Sequence, residues 1–228
     1  MNKLIYVILL SLISLSALGE VESQCFGNPN AGHLKNGWQL PSYGKNFHAY
    51  SSIGVLAGRN YVHSSVYRSV LAAYEILEKT NPNVIYIYGE TGHKEGGEFK
   101  PHKSHRNGLS VDFFVPVVDS KGEPRELNIG ITNKLGYNIE FNKEAIFNGL
   151  KIDFESIAKH IEALNITAKK EGSGIEVVIF DNEFQKLLFK TNTGKTLENV
   201  VTFSVKKPWV RHDEHYHVNF RVQCSTSG

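Results

Sequence analysis

Cysteine is almost missing from this chain. Its 228 residues hold 2, Cys25 and Cys224, which excludes a multi-thiolate structural zinc site and a cysteine-dense scaffold. An excess of one charge sign is missing too. Lys plus Arg number 25 against 23 Asp plus Glu, a formal net charge of +2, and no block of like charges runs along the chain. A protein that binds nucleic acid by neutralising phosphates would show a basic stripe, so no nucleic-acid partner is expected. The sequence lacks internal repeats, low-complexity tracts and any Pro/Gly/Ser-rich linker long enough to divide domains. What remains is ordinary globular composition, 41% apolar and 21% charged, and one domain over residues 20–228 is the expectation.

The one long apolar run opens the chain. Lys3 precedes Leu4-Ile5-Tyr6-Val7-Ile8-Leu9-Leu10 and a Leu/Ser mixture that ends at Ala17-Leu18-Gly19. That order of charged, apolar and small-residue regions reads as a secretory signal peptide over 1–19, cleaved before Glu20. An uncleaved membrane anchor is the alternative, because the run lies near the lower length limit for a spanning helix. Cysteine usage agrees with export: in an oxidising compartment, Cys25 and Cys224 read as one disulfide tying the chain ends together. Two unrelated buried thiols are the plainer alternative.

Periodicity predicts an α+β domain, with a small antiparallel sheet core, flanking helices and long loops. Residues 26–60 lack a clear period and read as an irregular arm on the core. Val66, Val70, Ala73, Tyr74 and Leu77 recur at helical spacing behind a Ser64 or Ser65 cap, and Asn81-Pro82 stops that helix. Val84–Tyr88 and Leu109–Val118 read as strands around a Gly-bearing loop at 91–108, and a long excursion follows over 119–151. Asp153 caps a second helix through Ala168, Ile175–Phe180 is a strand, and 183–190 is a short helix. Val200–Val205 and Glu214–Val222 read as the last strands. Strands and helices mixed without strict alternation favour this class over a doubly wound parallel sheet.

The chemistry concentrates in histidine. Of 10 histidines, five fall in two short segments: His102-Lys103-Ser104-His105, with Asp112 seven residues later, and His212-Asp213-Glu214-His215-Tyr216-His217. On a strand, a separation of two puts His215 and His217 on one face and Tyr216 and Val218 on the other. Asp112, flanked by Val111 and Phe113, would face away from two core residues, and a carboxylate there needs a partner to offset desolvation. A divalent metal is a strong one. Two neutral imidazoles and a carboxylate form a common set for catalytic zinc, so His105, Asp112 and His217 are assigned as ligands of one Zn2+ per chain. Such a cation acidifies water and polarises a carbonyl, which suits amide hydrolysis. His215 would act as base or oxyanion stabiliser, and His212 and His102 would reach the same space.

These motifs resemble the lysostaphin, D-Ala-D-Ala peptidase and hedgehog group of zinc folds. Within that group the wording is most similar to the penicillin-insensitive murein endopeptidases. It includes Cys25-Phe26-Gly27, Asn30-Ala31-Gly32, Gly89-Glu90, His102-x-Ser104-His105-x-x-Gly108-Leu109-x-Val111-Asp112 and His212-Asp213-x-His215-Tyr216-His217-Val218. The resemblance spans Cys25 to Cys224. It implies a periplasmic zinc peptidase that cuts peptidoglycan stem-peptide cross-links, typically the D-alanyl to diaminopimelate amide. By position, His105, Asp112 and His217 correspond to the metal ligands, His215 to the active-site base or stabiliser, and His102 and His212 to histidines lining the cleft. Arg106 and Ser110 stand where Gln and Asp are common, and Asn219 where Arg is usual. A D,D-carboxypeptidase, an L,D-specific cross-link peptidase and a non-catalytic zinc-containing wall-binding module are the competing functions.

Other residues have plainer readings. His63 and Arg68 at a helix start are expected as a solvated terminus rather than a substrate contact, and Glu90 as a turn residue or a neighbour of the site. His93, Lys94 and Lys103 would steer an acidic peptide or simply be solvated. His33 and His48 get no role, and His160 is expected at the surface or half-buried. Trp209 and Tyr216 would line the cleft or pack in the core. Oligomeric state is not legible, and membrane attachment would follow only from a retained first segment.

Overall fold

A computed structural model describes residues 21–130, 136, 138–206 and 211–226 of the chain. The segment read as a signal peptide and the candidate cleft residue Trp209 lie outside the described residues.

The first elements are β1 (Gln24–Asn28), β2 (Ala31–Lys35), β3 (Trp38–Gln39), β4 (Phe47–Ala49), α1 (Ser52–Leu56), β5 (Tyr61–Val62), α2 (Ser64–Thr80) and β6 (Tyr86–Tyr88). They are followed by β7 (Ser110–Phe114), β8 (Val117–Val118), β9 (Pro124–Arg125), β10 (Ile146–Phe147), β11 (Leu150–Ile152) and α3 (Phe154–Lys170). The chain closes with β12 (Ile175–Ile179), α4 (Asn182–Leu188), α5 (Gly194–Val200) and β13 (His215–Phe220). Helices and small, mostly antiparallel sheets together make a mixed α/β architecture consistent with the α+β expectation.

The central sheet has the order β12-β13-β7-β6-β4. Its pairs are antiparallel except β4 with β6, which run parallel at one edge. Helices α2 and α3 cover one face. Their apolar stripes, Val66, Val70, Ala73 and Leu77 on α2 and Ile157, Ile161, Leu164 and Ala168 on α3, are buried in one continuous core with the back of the sheet. Asp153 caps α3 by accepting from Ser156 N at 3.1 Å. The cap of α2 is neither candidate serine: His63 Nδ1 accepts from Ser65 N at 3.2 Å.

Several expectations are corrected. The arm at 26–60 is ordered into the β1–β2 hairpin, β3, α1 and edge strand β4; strands of two to five residues are too brief to show a period. The strand expected over 109–118 is split at Pro116, which has no N–H to donate: β7 stays in the central sheet, whereas β8 joins β9, β10 and β11 in a second sheet. That second sheet accounts for much of the excursion at 119–151. Val200 ends α5 instead of opening a strand, and only an isolated bridge, Phe203 with Val178, represents the strand expected there. His160 is fully buried, not at the surface. It lies beneath the sheet against Tyr74, Tyr86, Phe113 and Tyr216.

Cys25 and Cys224 form the expected disulfide, with Cα atoms 4.8 Å apart across 199 residues of sequence. Backbone bonds reinforce the closure: Gly27 N donates to Ser225 O and Ser225 N to Cys25 O, both at 3.0 Å.

Candidate metal centre

The site grows out of the register between β7 and β13. Asp112 pairs directly with His217, Phe114 with His215 and Ser110 with Asn219. Directly opposed residues share a face and alternate residues follow them, so these six side chains occupy the sheet face opposite α2 and α3. Val111, Phe113, Tyr216 and Val218 point the other way, into the core. Tyr216 is therefore a core residue rather than a cleft wall.

His105 reaches this face from the loop after β6. Its backbone has φ of +67°, a left-handed conformation that costs a non-glycine residue roughly 1 kcal/mol. The twist turns the ring inward, where Nδ1 lies 3.1 Å from the Thr91 carbonyl. A carbonyl only accepts, so Nδ1 carries the proton and Nε2 is left with a lone pair. That Nε2 is buried, has no hydrogen-bond partner, and lies 3.3 Å from Asp112 Oδ2.

A similar conflict recurs at His217. Its Nε2 lies 2.9 Å from Asn219 Oδ1, which also accepts from Ser110 Oγ at 2.6 Å. With the proton on Nε2, assigned from this network, the Nδ1 lone pair faces Asp112 Oδ1 at 2.7 Å. Buried lone pairs turned on a carboxylate repel unless a cation or proton lies among them. The Asp112 carboxyl is held well below the ordinary carboxylate range, because the imidazoles of His105, His215 and His217 outweigh its burial. Burial pushes the His105 ring down, against the pull of Asp112, which favours the neutral imidazole that ligates metals. These donors fit a divalent cation: two rings oriented by oxygen acceptors, and an ionised carboxylate between them.

Two further histidine groups border the centre. A nitrogen of His102, one of His105 and an oxygen of Asp112 all lie within 4.8 Å of one another, a cluster able to hold a metal ion. His102 Nε2 is also 2.6 Å from Glu90 Oε2. Glu90 accepts in addition from Tyr50 OH at 2.7 Å, from Arg59 Nη2 at 2.9 Å and from Arg59 Nε. Burial would raise the Glu90 carboxyl, but Arg59, His102 and Tyr50 hold it down at about 2. Glu90 is thus a neighbour of the site rather than a turn residue. On the other flank, His215 Nδ1 lies 2.9 Å from Glu214 Oε1, and the His212 and His215 ring centres are 4.7 Å apart. Burial opposes charge on His215, yet Glu214 and Asp112 bring it up to about 9.

His102, Asp112, His212, His215 and His217 line one open cleft of about 1610 Å3, solvent-open mouth included. A side pocket of about 410 Å3, walled by Tyr50, Gly89, Phe114 and Glu214, meets it at His102, Asp112 and His215. All six residues assigned from the two motifs are therefore brought together. Lys103 lines the cleft, whereas His93 binds the Gly58 carbonyl at 3.2 Å and is not among its lining residues. His63 and Arg68 lie elsewhere: His63 caps α2, and Arg68 pairs with Glu22 and Glu171. Sequence reasoning missed Asn219 and Glu214 as partners of the site histidines. Their signal was available, since Asn219 follows His217 by one strand period and Glu214 adjoins His215.

A search of curated proteins returned no match. The family model for penicillin-insensitive murein endopeptidase matches residues 25–228, and so takes in the disulfide, both histidine motifs and the whole central sheet. Its metal chemistry has a counterpart in the cluster of His102, His105 and Asp112. The chain therefore belongs to the penicillin-insensitive murein endopeptidase family, metallopeptidases that hydrolyse peptidoglycan.

Proposed function

We propose that the protein is a zinc-dependent endopeptidase of the lysostaphin and D-Ala-D-Ala peptidase fold type. It acts in the periplasm on the D-alanyl to diaminopimelate amide of stem-peptide cross-links, with residues 20–228 as its one catalytic domain. His105, Asp112 and His217 hold the ion. The unpartnered Nε2 of His105, buried against Asp112, is the observation that carries this reading. When bound, zinc supplies a Lewis acid and acidifies water for amide hydrolysis.

The chain's own residues do the rest. Thr91 and Asn219 fix the ring orientations of His105 and His217 from outside the site. His215, kept cationic by Glu214, is placed to stabilise negative charge that develops on the amide oxygen and to return a proton to the departing amine. His212 shares its flank of the cleft, and Glu90 holds His102 by one nitrogen at the opposite flank. A second reading, favoured by the close grouping of His102 with His105 and Asp112, makes His102 a protein ligand. Metal content of His102→Ala and His217→Ala separates the two, because only loss of a true ligand empties the site.

Incubation with purified cross-linked muropeptide dimers tests the activity. Dimers converted to monomers, and a complete block by chelator that added zinc reverses, are the expected result. Intact dimers at matched enzyme concentration overturn it. Mass analysis of the products distinguishes this cleavage from D,D-carboxypeptidase trimming and from L,D cross-link cleavage.

A further inference from the structure

The cleft around the histidines is electrically one-sided. Among the described residues, Lys103, Arg106 and Lys206 line it, and the one lining carboxylate, Asp112, is already engaged by His105 and His217. Arg106 differs from the other arginines that pair in this fold. Arg59, Arg68, Arg125 and Arg211 each meet a carboxylate, but Arg106 forms no ion pair among the described residues. Its Nε is buried without a hydrogen-bond partner. A guanidinium half withdrawn from water and left without a counter-charge is costly, and the penalty falls when an anion in the cleft neutralises it.

The backbone of Arg106 is fixed on both sides, its N–H donating to Pro29 O at 3.1 Å and its carbonyl accepting from Gly97 N at 2.8 Å. The unpaired side chain thus springs from a rigid base, an arrangement that reduces the entropy lost on binding. Arg106 also follows His105 directly, so its Cα is about 3.8 Å from that of a proposed ligand. An anion held by its guanidinium would share the cleft with Asp112 and His217. The side pocket has the reverse character: among the described residues, Tyr50, Phe114, Glu90 and Glu214 contribute aromatic and acidic groups and no Lys or Arg.

We propose that Arg106, assisted by Lys206, forms a carboxylate-binding subsite that takes the free carboxylate on the carbon bearing the scissile amide nitrogen. This inference rests on the stem-peptide reading above, in which that nitrogen belongs to a diaminopimelate residue. It gives the cleft a direction: the amine-side residue of the cross-link lies toward Arg106, and the acyl-side residue toward Tyr50 and Phe114.

A synthetic diaminopimelate stem peptide tests it, prepared with the carboxylate beside its side-chain amine either free or converted to the carboxamide. Binding of both forms to the full protein as purified is measured by calorimetry, for the wild type, Arg106→Gln and the exposed-site variant Lys206→Gln. The wild type is expected to bind the acid about tenfold or more tightly than the amide. Arg106→Gln should bring that ratio close to one while leaving the amide form's affinity in place, and Lys206→Gln should lower the ratio by a smaller factor. Equal binding of the two forms by the wild type, no binding of either, or a ratio that survives Arg106→Gln overturns the subsite. The wild-type comparison decides the matter even where Arg106→Gln fails to fold. Turnover plays no part in the measurement, so absence of cleavage in the muropeptide assay bears on the endopeptidase reading alone.

Discussion

His160 offers a quantitative test of how the fold responds to acid. Its ring is fully buried, stacked on Tyr74 and edge-on to Phe113, and its Nδ1 is hydrogen-bonded with the Tyr216 hydroxyl. Burial alone brings its pKa from 6.5 down to about 3. The unfolded chain therefore binds a proton below pH 6.5 that the folded chain refuses until about pH 3. Stability from this residue is complete above pH 6.5 and is lost as pH falls, by about 1.4 kcal/mol per unit. Between pH 7 and pH 5 the loss comes to ~2 kcal/mol. His160→Phe keeps a ring of similar size, removes the titration and leaves the Tyr216 hydroxyl without that hydrogen-bond partner. Urea unfolding at pH 7, 6 and 5 should show the wild type losing ~2 kcal/mol more than the variant, even if the variant starts slightly less stable. Glu90, Asp213 and the other carboxylates titrate in both proteins and cancel in the difference. Parallel stability curves for the two proteins would mean that burial does not depress the His160 ring.

Other expectations are simpler. Asn219→Ala removes the acceptor that fixes the His217 ring and should weaken metal affinity by about 10-fold to 100-fold in a chelator competition, with little change in the melting temperature of the metal-free protein; unchanged affinity would sever that link. Arg59→Met strands the Glu90 carboxylate, whose side chain is 15% exposed, and should destabilise the fold by about 3 kcal/mol by denaturant titration. The double change Glu90→Gln with Arg59→Met should recover part of that loss. Replacing Cys25 and Cys224 together by serine opens a closure of 199 residues and should lower stability by about 2–4 kcal/mol. A smaller loss would mean that the hydrogen bonds of residues 25 and 27 with Ser225 close the ends unaided.

Much of the site was legible because a strand converts sequence spacing into geometry. His215-x-His217 had to share a face once β13 formed, and Asp112 had to oppose the core residues Val111 and Phe113. The pairing of Asp112 with His217 was not legible, since register between strands more than a hundred residues apart depends on the whole sheet. The same holds for edge strand β4, whose three residues carry no period and gain their place by lying beside β6. His160 was misplaced because a helix position between Lys159 and Ile161 reads as surface or half-buried, whereas its place against the back of the sheet decides its burial. The His63 cap also escaped the residue rules, which favour the serines that follow it. The long helices were the most readable elements, because their apolar stripes repeat over several turns.

Diffraction from crystals of the purified protein, recorded on both sides of the zinc absorption edge, tests the metal centre most directly. One strong anomalous peak is expected within bonding distance of His105 Nε2, an Asp112 carboxylate oxygen and His217 Nδ1. A protein that hydrolyses peptidoglycan while this position stays empty, or a peak at some other histidine group, would contradict it.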